Sequence, residues 1–155
     1  MKENEFDSLF ISFYNQNIES SKAIFESNEI NENSFFFSIP NETKIILFGR
    51  PPFPLLNVTS AFGFIEGSEM LLEEGADVES TDGYNNSPLH CASSCGNIEL
   101  MKLLFEYNCN PEPLNDDEDL PIHVAAEYDQ FSSISFLIET NKNKVNQKNK
   151  FGRTP

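Results

Sequence analysis

Between residues 88 and 140 apolar side chains recur at helical spacing, in short blocks set apart by breakers. Ile98, Met101, Leu104 and Phe105 stand at i, i+3, i+6 and i+7, which is the single stripe of an amphipathic helix. The block before it predicts a helix starting at Pro88, where the missing N–H costs nothing and the fixed φ suits the first turn. Ser87 is its expected N-cap. Leu89, Ala92 and Ser93 form its inward face, and Gly96-Asn97 ends it with a left-handed turn. Pro111 and Pro113 bar the second helix from running on. The same alternation returns downstream. Ile122, Ala125 and Ala126 line a helix from Pro121, and Ile134, Leu137 and Ile138 line its successor. Helices this short, each with one apolar stripe, need neighbours on both sides to shed water.

The recurrence is also literal. Ser87-Pro88-Leu89-His90-Cys91-Ala92 returns thirty-three residues later as Leu120-Pro121-Ile122-His123-Val124-Ala125, and Gly152-Arg153-Thr154-Pro155 opens a third time. A period of thirty-three with Pro-apolar-His wording resembles the ankyrin repeat family. Upstream, Leu71-Leu72-Glu73-Glu74-Gly75-Ala76-Asp77 matches the end of a unit whose first helix is degenerate, with Leu55, Leu56, Thr59, Ser60 and Gly63 in the expected slots. Three units follow, 55–87, 88–120 and 121–154, with a truncated start of a further one at the C-terminus. This sequence departs from the family pattern at Asn108-Cys109-Asn110, at Asp129 in place of a turn glycine, and by one extra residue within 141–146. Residues 16–26 echo 96–106, so 7–30 read as a helical N-terminal cap with Leu9, Phe10, Phe13, Ile18, Ile24 and Phe25 inside. Residues 31–54, with Phe35-Phe36-Phe37 and Pro51-Pro52-Phe53-Pro54, read as an irregular, partly helical connection packed on the stack. Residues 1–54 together form a degenerate, repeat-like region. The expected fold is an all-α ankyrin-repeat solenoid, helix-turn-helix pairs with projecting β-turn fingers, in which each unit contacts only its neighbours. Thr154-Pro155 stops one step into a new unit with nothing like a polar cap. Either the native protein continues, or the chain is a fragment or the product of a truncated gene model, and the last unit is expected to fray because Leu137 and Ile138 lack part of their cover.

Composition narrows the partner. The 155 residues carry a formal charge of −15, and apolar content of 39% argues against wholesale disorder. Such a chain repels nucleic acid and acidic lipid surfaces, because phosphate binding depends on Lys and Arg displacing counterions. The expected partner is therefore another protein, with a basic or neutral surface. Cys91, Cys95 and Cys109 form no CxxC pair, which predicts neither a disulfide framework nor a zinc site and points to a cytoplasmic, reducing setting. The acidic N-terminus is not a signal peptide, and runs such as Ile45-Ile46-Leu47-Phe48 are too short to cross a bilayer. The sequons at Asn41 and Asn57 read as chance matches. A monomer is expected.

Few residues invite chemistry. His90 and His123 are the only histidines. They stand where the family resemblance implies an imidazole that hydrogen-bonds the adjoining turn, and neither has ligand-spaced partners. Cys91 and Cys95, at i and i+4, share a helix face. A metal or redox pair would need that spacing, but so would two small residues of a packed helix, which is the reading taken. No nucleophile–base set and no phosphate-cradling glycine loop is present, so no enzyme and no cofactor is expected. The resemblance implies non-catalytic binding of a partner protein through the fingers and the concave helix face. Carried onto this chain, that gives Tyr84, Asn85 and Asn86 in one finger and Asp116, Asp117 and Glu118 in the next. On the helices it gives Cys91, Ser94, Cys95, Val124, Glu127 and Tyr128. The knot Asp116-Asp117-Glu118-Asp119 is either a solvated turn or part of that contact surface. A second reading is a regulatory or targeting segment of a larger, enzymatic protein.

Overall fold

The computed structural model describes residues 35–36, 53–140 and 145–155. The expected cap over 7–30 lies outside the described residues. Of the expected irregular connection, the described part is a two-residue antiparallel ladder. Here β1 (Phe35–Phe36) pairs with β2 (Phe53–Pro54), Phe35 opposite Pro54 and Phe36 opposite Phe53.

Six helices follow. They are α1 (Leu55–Ala61), α2 (Ile65–Glu73), α3 (Pro88–Cys95), α4 (Ile98–Glu106), α5 (Pro121–Glu127) and α6 (Phe131–Thr140). They pair in sequence, α1 with α2, α3 with α4 and α5 with α6. The first helices stack in one row, α1 on α3 on α5, and the second helices in another, α2 on α4 on α6. The sequence pattern explains the arrangement. Each helix has one apolar stripe, so burial is completed by the adjacent pair. Leu56, Leu89 and Ile122 stand at equivalent positions in the first row and are all buried, as are Leu71, Leu104 and Leu137 in the second. Burial of each such side chain favours the fold by roughly 1.5–3 kcal/mol before chain entropy is counted. Leu137, expected to be short of cover, is buried, while its neighbour Ile138 is open. The packed rings of Phe105 and Phe136, with centroids 5.8 Å apart, bridge α4 and α6.

The degenerate first helix folds as expected despite lacking Pro-apolar-His. Leu55, Leu56, Thr59 and Ser60 are buried, and Gly63 takes a φ of +66°. Phe64, among the largest fully buried side chains, had no counterpart in the expected core. Among the described residues three turn positions in each of the first two units, and two in the third, adopt positive φ. After the first helix they are Gly63, Gly96 and Asp129, and after the second helix Gly75 and Asn108. At the finger tips they are Asn85, Glu118 and Gly152. Asp129 thus keeps the glycine geometry with a side chain attached. The sequon asparagine Asn57 is buried, its amide nitrogen donating to the Asn86 carbonyl at 2.7 Å, so no glycan fits there in the folded chain. Asn41 lies outside the described residues.

Candidate functional site

Each finger is closed by one Asp or Asn, placed six residues ahead of a proline. The Asp82 carboxylate accepts from the Tyr84 and Asn86 amides. Asn115 Oδ1 accepts from Asp117 and Asp119, and Asn149 Oδ1 from Phe151 and Arg153. These local bonds hold the turn against the competing extended chain. Burial raises the Asp82 carboxyl above the ordinary range. The hydrogen bonds from Asn86 and Tyr84 oppose that rise, and the charge of Asp116 adds to it.

The fingers are joined edge to edge. The Asp116 amide donates to the Tyr84 carbonyl at 3.0 Å, and the Lys150 amide to the Asp117 carbonyl at 3.1 Å. Beneath them runs a ladder of side-chain amides. Asn115 Nδ2 donates to Asn86 Oδ1 at 2.9 Å, and Asn149 Nδ2 to Asp119 Oδ1 at 2.7 Å. The row of fingers is therefore a rigid wall, because buried polar groups would be left unpaired if one finger shifted.

Both histidines tie this wall to the helices. His90 Nδ1 accepts from the Ser87 amide at 3.1 Å, and His90 Nε2 lies 3.0 Å from the Asp119 carbonyl. A carbonyl only accepts, so Nε2 carries the proton. Burial pushes the His90 imidazole down to about 4; the Asp119 carbonyl and charge oppose this, and His123 adds to it. The ring is neutral at physiological pH. His123 repeats the arrangement, with Nδ1 accepting from the Leu120 amide and Nε2 on the Gln147 carbonyl.

The wall and the first-helix row enclose a concave groove of about 440 Å³. It brings together Tyr84, Asn86, Ser94, Asp116, Asp117, Glu127 and Tyr128 of the expected binding residues. Cys91 and Val124, also expected, line it as well, which makes nine of the expected residues. Three expected residues do not reach it. Asn85 and Glu118 occupy the left-handed tips of their turns, outside the groove. Cys95 is held in the helix packing, its thiol donating to the carbonyls of Ala92 and Ser60. His90 and Asn115 also line the groove and were missed as lining residues, and Asp119, the last residue of the acidic knot, lines it with them. The signal that finds Asn115 is its fixed distance ahead of Pro121. Asp117 is in an ion pair with Lys150 of the next finger, so the acidic knot is partly neutralised. Tyr84, at 45% exposure, is open to solvent at the rim. Burial and then the Glu127 charge raise the Tyr128 hydroxyl above its usual range, so the phenol keeps its proton to donate.

The cysteines are free, and burial raises all three thiols. A thiol held protonated is a poor nucleophile and a poor metal ligand. Among the described residues no group of three His, Cys, Asp or Glu side chains is placed to hold a metal ion. Among the same residues no helix is long and apolar enough to cross a membrane.

No curated protein matches the chain. The family model for ankyrin repeats matches residues 56–155 in three copies. That span covers all three helix pairs and all three fingers, and ankyrin repeats generally serve as protein–protein interaction modules. Literal sequence repeat, stacked pairs, closed fingers and matched model agree: the chain belongs to the ankyrin repeat family.

Proposed function

We propose that this chain is a non-catalytic interaction module that grips a basic segment of a partner protein in the concave groove. The observation that carries the reading is the juxtaposition of Tyr84, Tyr128, Asp116 and Glu127 around one 440 Å³ recess. Tyrosines supply broad contact area at low entropic cost, and they are enriched among residues that dominate binding energy. Acids at the rim attract Lys and Arg, speed association and reject acidic competitors. The formal charge of −15 extends that attraction beyond the groove and disfavours nucleic acid. A cytoplasmic setting suits three unpaired cysteines. The reading takes the chain as a monomer with no cofactor.

Selection of a random peptide library on the immobilised chain tests this. The expected ligands are rich in Lys and Arg. Tyr128→Ala and Asp116→Lys each weaken them roughly tenfold, about 1.4 kcal/mol, and added salt slows their association. Selected peptides without basic residues, or basic peptides that bind both variants as tightly as the parent, would remove the groove from the mechanism.

A further inference from the structure

The concave groove has a neighbour of opposite sign. One unit further along lies a second recess of about 240 Å³, and Asp119 and Glu127 line both. The register is that of the repeat, with His123 where His90 stands and Glu127 where Ser94 stands. What changes is the charge on the wall. Asn86, Asp119 and Arg153 hold one position of successive fingers, each four residues after the Asp or Asn that closes the turn. That position is neutral in the first finger, negative in the second and positive in the third. Lys142, Lys144, Lys148, Lys150 and Arg153, half of the chain's ten Lys and Arg, fall within residues 141–155, which hold no Asp or Glu.

Lys150 is already engaged within the chain. Its ammonium pairs with Asp117 and donates to the Asp116 carbonyl at 3.0 Å. Arg153 is different. Among the described residues no carboxylate lies within ion-pair distance of its guanidinium, which sits over the Phe151 ring, 5.0 Å from the centroid. Stacking on a ring holds the planar fork in place, and that fork matches a carboxylate. Arg153 is also the one Lys or Arg among the described residues that line either recess. Of the two acids beside it, Asp119 is 7% exposed and accepts from the Asn149 side-chain amide at 2.7 Å, and Glu127 is shared with the first recess. Packed helices lie ~8–10 Å apart and an extended chain advances ~3.3 Å per residue, so a peptide passes from one recess to the next in about three residues. We propose that the concave surface reads a segment of mixed sign, a Lys or Arg beside Asp116 and Glu127 and an Asp or Glu three residues away at Arg153. The proposal rests on the reading that the first recess takes a basic residue, and it adds the acidic one. A uniformly basic segment would place a second cation on Arg153, so the third finger rejects partners that the acidic groove alone would accept.

The test titrates the full chain, at low salt, with peptides that carry a central Lys and either Glu or Lys three positions before or after it. In one of the two orders the Glu peptide is expected to bind at least ~threefold tighter than its Lys analogue. Arg153→Glu reverses that preference, and its binding of the Lys analogue shows that the variant is folded. Asp116→Lys weakens both peptides alike, because it acts on the central Lys. Equal binding of Glu and Lys peptides in both orders overturns the proposal, as does a preference for Glu that survives Arg153→Glu. If Asp116→Lys still weakens the peptides in those cases, the basic-segment reading stands without the acidic contact. If a central Ala binds as well as the central Lys and Asp116→Lys changes nothing, the basic-segment reading fails, and this proposal, which needs that anchor, fails with it.

Discussion

His90 offers the sharpest test of how the stack is held together. Its ring is 1% exposed, and both nitrogens are engaged, one with the Ser87 amide and one with the Asp119 carbonyl. Only the neutral imidazole can accept at Nδ1, and burial holds the folded state at about 4 against an ordinary 6.5. A displacement of ~2.5 pH units is worth roughly 3 kcal/mol. The folded value lies below the unfolded one, so this stability is fully present above pH 6.5 and is lost as pH falls toward 4. The sequence pI of about 4.3 makes pH 5 a practical floor, and between 6.5 and 5 the loss is roughly 2 kcal/mol. Asp82, raised by burial, pushes the other way over the acid range, so the parent chain alone is ambiguous. The comparison is therefore with His90→Gln. That variant leaves the Ser87 amide and Asp119 carbonyl badly paired and is less stable by about 1–3 kcal/mol at pH 7. Urea unfolding at pH 7, 6 and 5 should show the difference shrinking by about 2 kcal/mol on acidification, because the variant has no proton to take up on unfolding. Parallel pH dependence in the two proteins, or a folded-state His90 that titrates near 6.5 by NMR, would refute the buried-neutral account.

Three further outcomes follow from packing and chemistry. Leu104→Ala, at a site with no solvent exposure, opens a cavity between neighbouring pairs and costs about 2–5 kcal/mol in denaturant unfolding; an unchanged midpoint would take Leu104 out of the core. Glu118 bears a side chain at φ +56°, so Glu118→Gly should stabilise by roughly 0.5–1 kcal/mol in thermal unfolding, and a loss of stability would show that the tip carboxylate outweighs its strain. Cys91 is buried and Cys109 is pushed up to about 12, so the native chain at pH 8 should resist alkylation at both, as counted by intact mass. Labelling of native Cys91 as fast as in urea would mean that α3 opens readily.

Much of this protein could be read from residues close in sequence. Apolar spacing, Ser87-Pro88, the breakers and the thirty-three-residue recurrence specify each helix pair, because those signals act within one or two turns of chain. They carried over even to the degenerate α1, where Leu55 and Leu56 kept the stripe without the motif. The nine expected residues that do meet in one groove were legible because a repeat places equivalent positions on one side. Which of them face inward was not. Asn85 and Glu118 sit at turn tips whose left-handed backbone turns them away, and Cys95 is claimed by carbonyls on α1 and on its own helix. The amide ladder through Asn57, Asn86 and Asn115 and the Lys150–Asp117 pair join residues from different units. Local pattern decides what each segment becomes, whereas pairings across the stack depend on the distance and angle between units, and these exist only once the helices have packed.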